Sequence, residues 1–188
     1  MSSKRQLLID TALGLFYHKG IHAVGVNEIL AMSGIAKKTL YSHFESKNAL
    51  LMAALEVRHE RFMTWLSQTL DNTQTSQQLI ERLFKGLATW FNSEDDTLGP
   101  FRGCFFINTS AEFSEVDELI TAYCRAHKEA VRDEIARHLP EQNEPLLEAI
   151  FVMMEGAIVT AQMTHQGELL CQRSAAMLTR LCNVQNQA

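Results

Sequence analysis

The 188-residue sequence is short of the features that mark several classes of protein. No stretch approaches the roughly 18 consecutive apolar residues of a membrane-crossing helix, so no membrane partner is expected. With 3 prolines and 9 glycines, it has little material for extensive disorder. The 4 cysteines, Cys104, Cys124, Cys171 and Cys182, are widely and irregularly spaced with no CxxC pair. That spacing suggests neither a zinc site nor a disulfide framework. The first apolar run is amphipathic and interrupted by Asp10, unlike a secretory leader, and reduced thiols in a cytoplasmic setting are expected. Catalytic patterns are missing too. There is no HExxH, no GxSxG, no P-loop and no pair of ExxH motifs, and His59-Glu60 lacks the second histidine that zinc would need. No catalytic residue, metal ligand or cofactor is expected, which weighs against an all-α enzyme.

What is present is 46% apolar and 21% charged, enough for a packed core in one or two small domains. The net charge of −5 conceals a division. Residues 1–50 carry Lys4, Arg5, Lys19, Lys37, Lys38 and Lys47 against Asp10, Glu28 and Glu45, a net +3, while the remainder holds 11 basic and 19 acidic residues, a net −8. Opposite electrostatics in the two parts suggest two tasks.

The periodicity is helical throughout, and no alternating strand pattern competes. Leu7, Leu8, Ala12, Leu15 and Phe16 mark a first helix, introduced by the capping-box pattern Ser3-Lys-Arg-Gln6 and closed by Gly20. Val26, Ile29 and Leu30 open a short second helix ending at Ser33-Gly34, and Ile35, Leu40 and Phe44 mark the inner side of a short third. Longer helices follow. Leu51, Leu55, Phe62, Leu66 and Leu70 form a stripe, and Thr75-Ser-Gln-Gln78 is a second capping box before Leu79, Leu83, Leu87 and Phe91. A shorter apolar segment runs from Cys104 to Phe113. Ser114 is placed to cap a helix through Leu119, Tyr123, His127, Val131 and Ile135, stopping before Pro140. Pro145 suits the first turn of the next, through Ile150, Met154, Ala157, Ile158 and Ala161. Gly167 then separates it from a last helix carrying Leu169, Leu170, Met177 and Leu181. The expected fold is all-α with about nine helices.

The chemistry sits between Val26 and Lys47. Two short helices joined at Gly34 form a helix-turn-helix, buttressed by the helix before them. With Ile35, Leu40 and Phe44 inward, helix spacing turns Lys37, Lys38, Tyr41 and Ser42 outward. Ammonium, hydroxyl and phenol groups on a short helix suit phosphates and base edges in a major groove. Each alone is equally an ordinary surface residue; the combined string Ser33-Gly-Ile-Ala-Lys-Lys-Thr-Leu-Tyr-Ser-His-Phe-Glu-Ser-Lys47 is not ordinary. It resembles the signature of TetR-type transcriptional repressors, roughly A-G-V-S-x-x-T-L-Y-x-H-F-x-x-K. Gly20 and Glu28-Ile29 also fall where that family ends its first helix and places its second. The resemblance implies that Lys37, Lys38 and Thr39 meet bases and phosphates. It further implies that Tyr41 and His43 contact phosphates and that Lys47 does so from the start of the fourth helix. Val24, Gly25 and Ala36 stand where the family commonly has Ser or Thr, so the second and third helices are expected to lack hydroxyl caps.

The same resemblance implies a helix-turn-helix domain over 1–47 and a ligand-binding and dimerisation domain over 48–188. One reader of this size covers few base pairs, and two-fold symmetry sets two readers about 34–36 Å apart on a double-stranded DNA operator. The homodimer face is expected on the last two helices, where Met153, Met154, Ala157, Ile158 and Ala161 combine with Met177 and Leu181. A small-molecule inducer cavity is implied among the middle helices, with Phe62, Phe105, Asn108, Glu112, Tyr123, His127, Phe151 and Glu155 as candidate lining residues. Core packing is the alternative for each. Cys104 follows Arg102-Gly103 at the start of a helix, so a cation and a helix dipole are placed to activate its thiol for oxidants or electrophiles; a small buried hydrophobe is the alternative. A protein-binding adaptor remains as a rival that leaves the Lys37–Lys47 string unexplained.

Overall fold

The computed structural model describes residues 3–113, 118–140 and 143–185. Among them the chain is all-α, with nine helices and no strand. They are α1 (Ser3–Lys19), α2 (Val26–Ser33), α3 (Lys37–His43), α4 (Lys47–Leu70), α5 (Ser76–Phe91), α6 (Phe105–Phe113), α7 (Glu118–His138), α8 (Glu144–Thr164) and α9 (Gly167–Gln185). Their packing makes two compact units, Met1–Glu60 with Phe105–Arg125 and Arg61–Cys104 with Ala126–Ala188. Helices α4 and α7 each contribute residues to both.

In the first unit α1 buries Leu8, Ile9, Ala12, Leu13 and Phe16 and packs against α2 and α3. Ile29 of α2 and Leu40 of α3 are fully enclosed. Burial of each such side chain contributes on the order of 1.5–3 kcal/mol, which fixes two very short helices that have no stability of their own. The turns are set by Gly20 and Gly34 at φ 89° and 68°, a region where a Cβ is strained. The Gly34 N–H closes α2 on the Leu30 carbonyl at 3.0 Å.

In the second unit α5, α8 and α9 pack together. Thr75 caps α5 by accepting the Gln78 N–H at 3.1 Å, but the Gln78 side chain returns to the N–H of Gln74 at 2.9 Å, one residue before the expected partner. Asn143 caps α8, and Pro145 occupies its first turn as expected. The expected cap Ser114 lies outside the described residues.

Three expectations are corrected here. Helix α8 ends at His165 in the left-handed region, φ 56°, and Gly167 is the first residue of α9, not a spacer. A Cβ on Gly167 would stand 2.6 Å from Cβ of Phe91, so glycine is there for close packing against α5. Leu119 does not join the inner stripe of α7 but is 77% exposed. The last two helices also divide differently. Met154, Ala157, Ile158 and Ala161 are buried in the subunit, with Cys171 and Leu178 from α9, whereas Leu169, Met177 and Leu181 face outward beside Val152, Val159 and Met163 of α8. Helix α8 is apolar on more than one side, and by length and composition alone it is the one described helix that could cross a membrane. One side of it serves the core, and the other side is exposed.

Candidate nucleic-acid interface

Helix α3 starts at Ala36 and α2 at Gly25, both without a side-chain cap, in line with the missing hydroxyls. Orientation is therefore left to packing. Leu40 is buried, Phe44 is 4% exposed and Ile35 is half-buried, which turns Lys37, Lys38, Tyr41 and Ser42 to solvent. Thr39 and His43 are half-buried at the edges of this face. The Ser42 hydroxyl donates to the Thr39 carbonyl at 2.7 Å, leaving its oxygen to act as an acceptor. Arg5 of α1 lies over the Phe44 ring at 5.2 Å and brings a further cation beside α3. Its position in the sequence gave no hint of this, because the ring it covers is 39 residues away. At the other end of α1, Lys19 pairs with Glu28 of α2 at 2.5 Å.

Lys47 is not simply displayed. Its ammonium donates to the carbonyls of Ile21 at 2.8 Å and Val24 at 3.0 Å, tying the start of α4 to the turn between α1 and α2. These two contacts occupy two of the three N–H donors that an ammonium carries.

The eight residues expected around a ligand fall into the two units, four in each. In the first, Phe105 meets Tyr17 edge-on at 5.9 Å, Tyr123 meets His59 at 6.1 Å, and Asn108 is half-buried on α6. Burial pushes the Tyr123 phenol upward, reinforced by Glu56 and Glu60, and lowers His59 against the opposing pull of Glu60. Glu112 is committed to backbone: its carboxylate accepts the N–H groups of Ile21 at 2.8 Å and His22 at 2.6 Å. In the second unit, the Phe62 ring lies 5.4 Å from His127, 5.2 Å from Trp65 and 5.9 Å from Trp90, an aromatic core of mutual edge and tilted contacts. Phe151 is half-buried on α8.

Glu155 belongs to a polar group that the sequence did not reveal. Lys128 donates to it at 2.6 Å and to the Cys104 sulfur at 3.3 Å. A cation in contact with Cys104 is therefore Lys128, 24 residues away in the sequence. Burial alone would lower the Lys128 pKa, but the Cys104 sulfur and the Glu155 carboxylate outweigh it and the net shift is upward. Cys104 itself is 7% exposed.

Comparison with known proteins assigns this arrangement. Residues 8–54 match the model of "Bacterial regulatory proteins, tetR family". The transcriptional activator FasR of Mycolicibacterium smegmatis is 33% identical over 85 residues, 43% of this chain and 39% of FasR's own length. The repressor BdcR of Escherichia coli is 24% identical over 168 residues, covering 89% of this chain and 83% of BdcR. In fold, the crystal structure of the TetR-family regulator SCO4454 from Streptomyces coelicolor superposes with a TM-score of 0.81 at 21% identity, over 95% of this chain and 94% of that one. The likeness to known regulators is thus one of sequence over the helix-turn-helix module and one of fold over nearly the whole chain. Within the chain, the match to the tetR family is confined to residues 8–54, which hold α2, α3 and the start of α4.

Proposed function

We propose that this chain binds a near-palindromic DNA operator as a homodimer, represses transcription there, and is released by a small molecule. The observation that carries the reading is the solvent face of α3, where Lys37, Lys38, Tyr41 and Ser42 stand on a helix held by Leu40 and Phe44. Residues 1–47 do the reading, and 48–188 serve ligand response and dimerisation. Lys37, Lys38 and Thr39 address bases and phosphates, Ser42 accepts a hydrogen bond, and Tyr41, His43 and Lys47 hold the backbone. Val152, Val159 and Met163 of α8 with Leu169, Met177 and Leu181 of α9 supply an apolar face for the second copy. The small molecule acts by binding the non-reading conformation more tightly, since only differential affinity shifts an equilibrium. Such a regulator works in the cytoplasm, on the nucleoid when bound.

Selection of bound sequences from a random DNA pool at fixed salt tests this. A palindrome with half-sites about one helical turn apart is expected, with affinity falling steeply as salt rises. Absence of any bound DNA, even at low salt, would overturn it and return the adaptor reading.

A second reading, a thiol sensor acting through Cys104, is favoured by one contact, the Lys128 ammonium 3.3 Å from the sulfur. The sulfur is the atom that would attack a quinone or peroxide, and the ammonium lies against it. Under this reading Cys104→Ser retains operator binding and loses its release by quinone or peroxide, measured on the selected palindrome. Cys171→Ser is the control, because burial pushes that thiol up to about 12 and keeps it unreactive. An unchanged quinone and peroxide response in Cys104→Ser removes the idea.

A further inference from the structure

The turn between α1 and α2 is gripped from two sides. Gly20 closes α1 on the Phe16 carbonyl at 2.9 Å, and the next two N–H groups, of Ile21 and His22, have no carbonyl one turn back to take. One carboxylate takes both, with Glu112 Oε1 on the Ile21 N–H at 2.8 Å and Oε2 on the His22 N–H at 2.6 Å. Glycine at position 20 suits the φ of 89° at this turn, and a Cβ there would be in ordinary contact with Oε1 at 3.4 Å. Adjacent on α6, Phe113 stacks its ring on His22 at 4.8 Å with planes 21° apart, and the His22 Nδ1 is 3.1 Å from the same carboxylate. On the carbonyl side, Lys47 holds Ile21 and Val24. The turn thus has its donors fixed by α6 and its acceptors fixed by the start of α4.

A two-point hold differs in kind from apolar contact. Side chains packed by dispersion slide at small cost, whereas a carboxylate shared by two successive amides fixes both place and angle. We infer that Glu112 is a positioning residue for DNA reading: through it α6 sets the angle at which the α1–α3 module presents α3, without itself touching DNA. Helix α6 begins one peptide bond after Cys104, the last residue of that stretch of the second unit, so α6 is where the chain returns to the reader. Movement of α6 by about one hydrogen-bond length separates the carboxylate from the two amides and frees the module. This inference rests on the proposed DNA-binding function.

The test uses the full chain and the palindrome selected by it. Glu112→Gln keeps the shape but presents an NH2 group to one of the two amides. It is expected to lose affinity for the palindrome by roughly tenfold or more, the usual effect of charge-assisted hydrogen bonds. Binding to unrelated DNA at low salt should stay within about twofold, because Lys37 and Lys38 are still present. Hydrogen exchange should speed up at the amides of Ile21 and His22 and stay unchanged in α5, α8 and α9, which a global loss of structure would not produce. Glu112→Asp keeps the charge, reaches only one amide, and should fall between the two; it also serves if the glutamine variant does not fold. Palindrome affinity equal to the parent's in both variants would overturn the inference, as would an equal loss for palindrome and unrelated DNA. If the parent itself selects no DNA, it is the functional reading that fails.

Discussion

Replacing Lys37 and Lys38 together with alanine is expected to cost about 2–6 kcal/mol of operator binding, at least a 30-fold loss. Each lysine is exposed on α3. Ammonium groups that neutralise phosphates release counterions, and each contact adds close to −0.9 to the slope of log affinity against log salt. The double variant should therefore flatten that slope by up to about 2 while the melting temperature hardly moves, since exposed substitutions away from packed features change stability by roughly 0.5 kcal/mol or less. Anisotropy titrations at several salt concentrations with calorimetry give both numbers. An unchanged slope would mean that α3 does not lie against DNA, whatever its sequence resembles.

The second large effect concerns assembly. Met163 of α8 is 71% exposed and Met177 of α9 is 57% exposed. If these outer faces meet a second copy, Met163→Glu with Met177→Glu buries like charges against each other across a two-fold axis. Desolvating unpaired carboxylates costs several kcal/mol, enough to raise the dimer dissociation constant by about 1,000-fold or more. The subunit fold should survive, because neither side chain contributes to its core, and helix content by circular dichroism should be unchanged. Operator binding should fall with the dimer, since two readers are no longer held one turn apart. Sedimentation reads the assembly directly. A variant that remains dimeric would place the interface elsewhere on the chain.

The two predictions differ in how well the sequence foretold their residues. Lys37 and Lys38 were legible because a helix rotates 100° per residue: once Leu40 and Phe44 are inward, the outward set follows. Met177 and Leu181, named as dimer candidates, are exposed, but Met154, Ala157, Ile158 and Ala161, grouped with them, turn into the subunit core. Helix α8 is apolar on more than one side, so periodicity says little about which apolar side faces which neighbour. Glu112 and Lys47 make contacts that a local reading does not contain. A carboxylate among aromatics suggests a ligand anchor and a lysine at a helix start suggests a phosphate contact, yet both reach backbone groups of the turn near Ile21.

The sequence by itself determined the all-α class, the ends of α1 and α2 at Gly20 and Gly34, the place of Pro145 in the first turn of α8, and the outward face of α3. These rest on interactions within about four residues, through helix spacing, left-handed glycine and proline at a helix start, so a local reading contains their causes. Tertiary structure alone decided that Glu112 grips amides 91 and 90 positions earlier, that Lys128 reaches Cys104, and that Phe91 leaves no room for a Cβ at Gly167. Each depends on a partner that only the packing of distant helices supplies. A residue's chemistry says what it can bind, and the fold decides what is within reach.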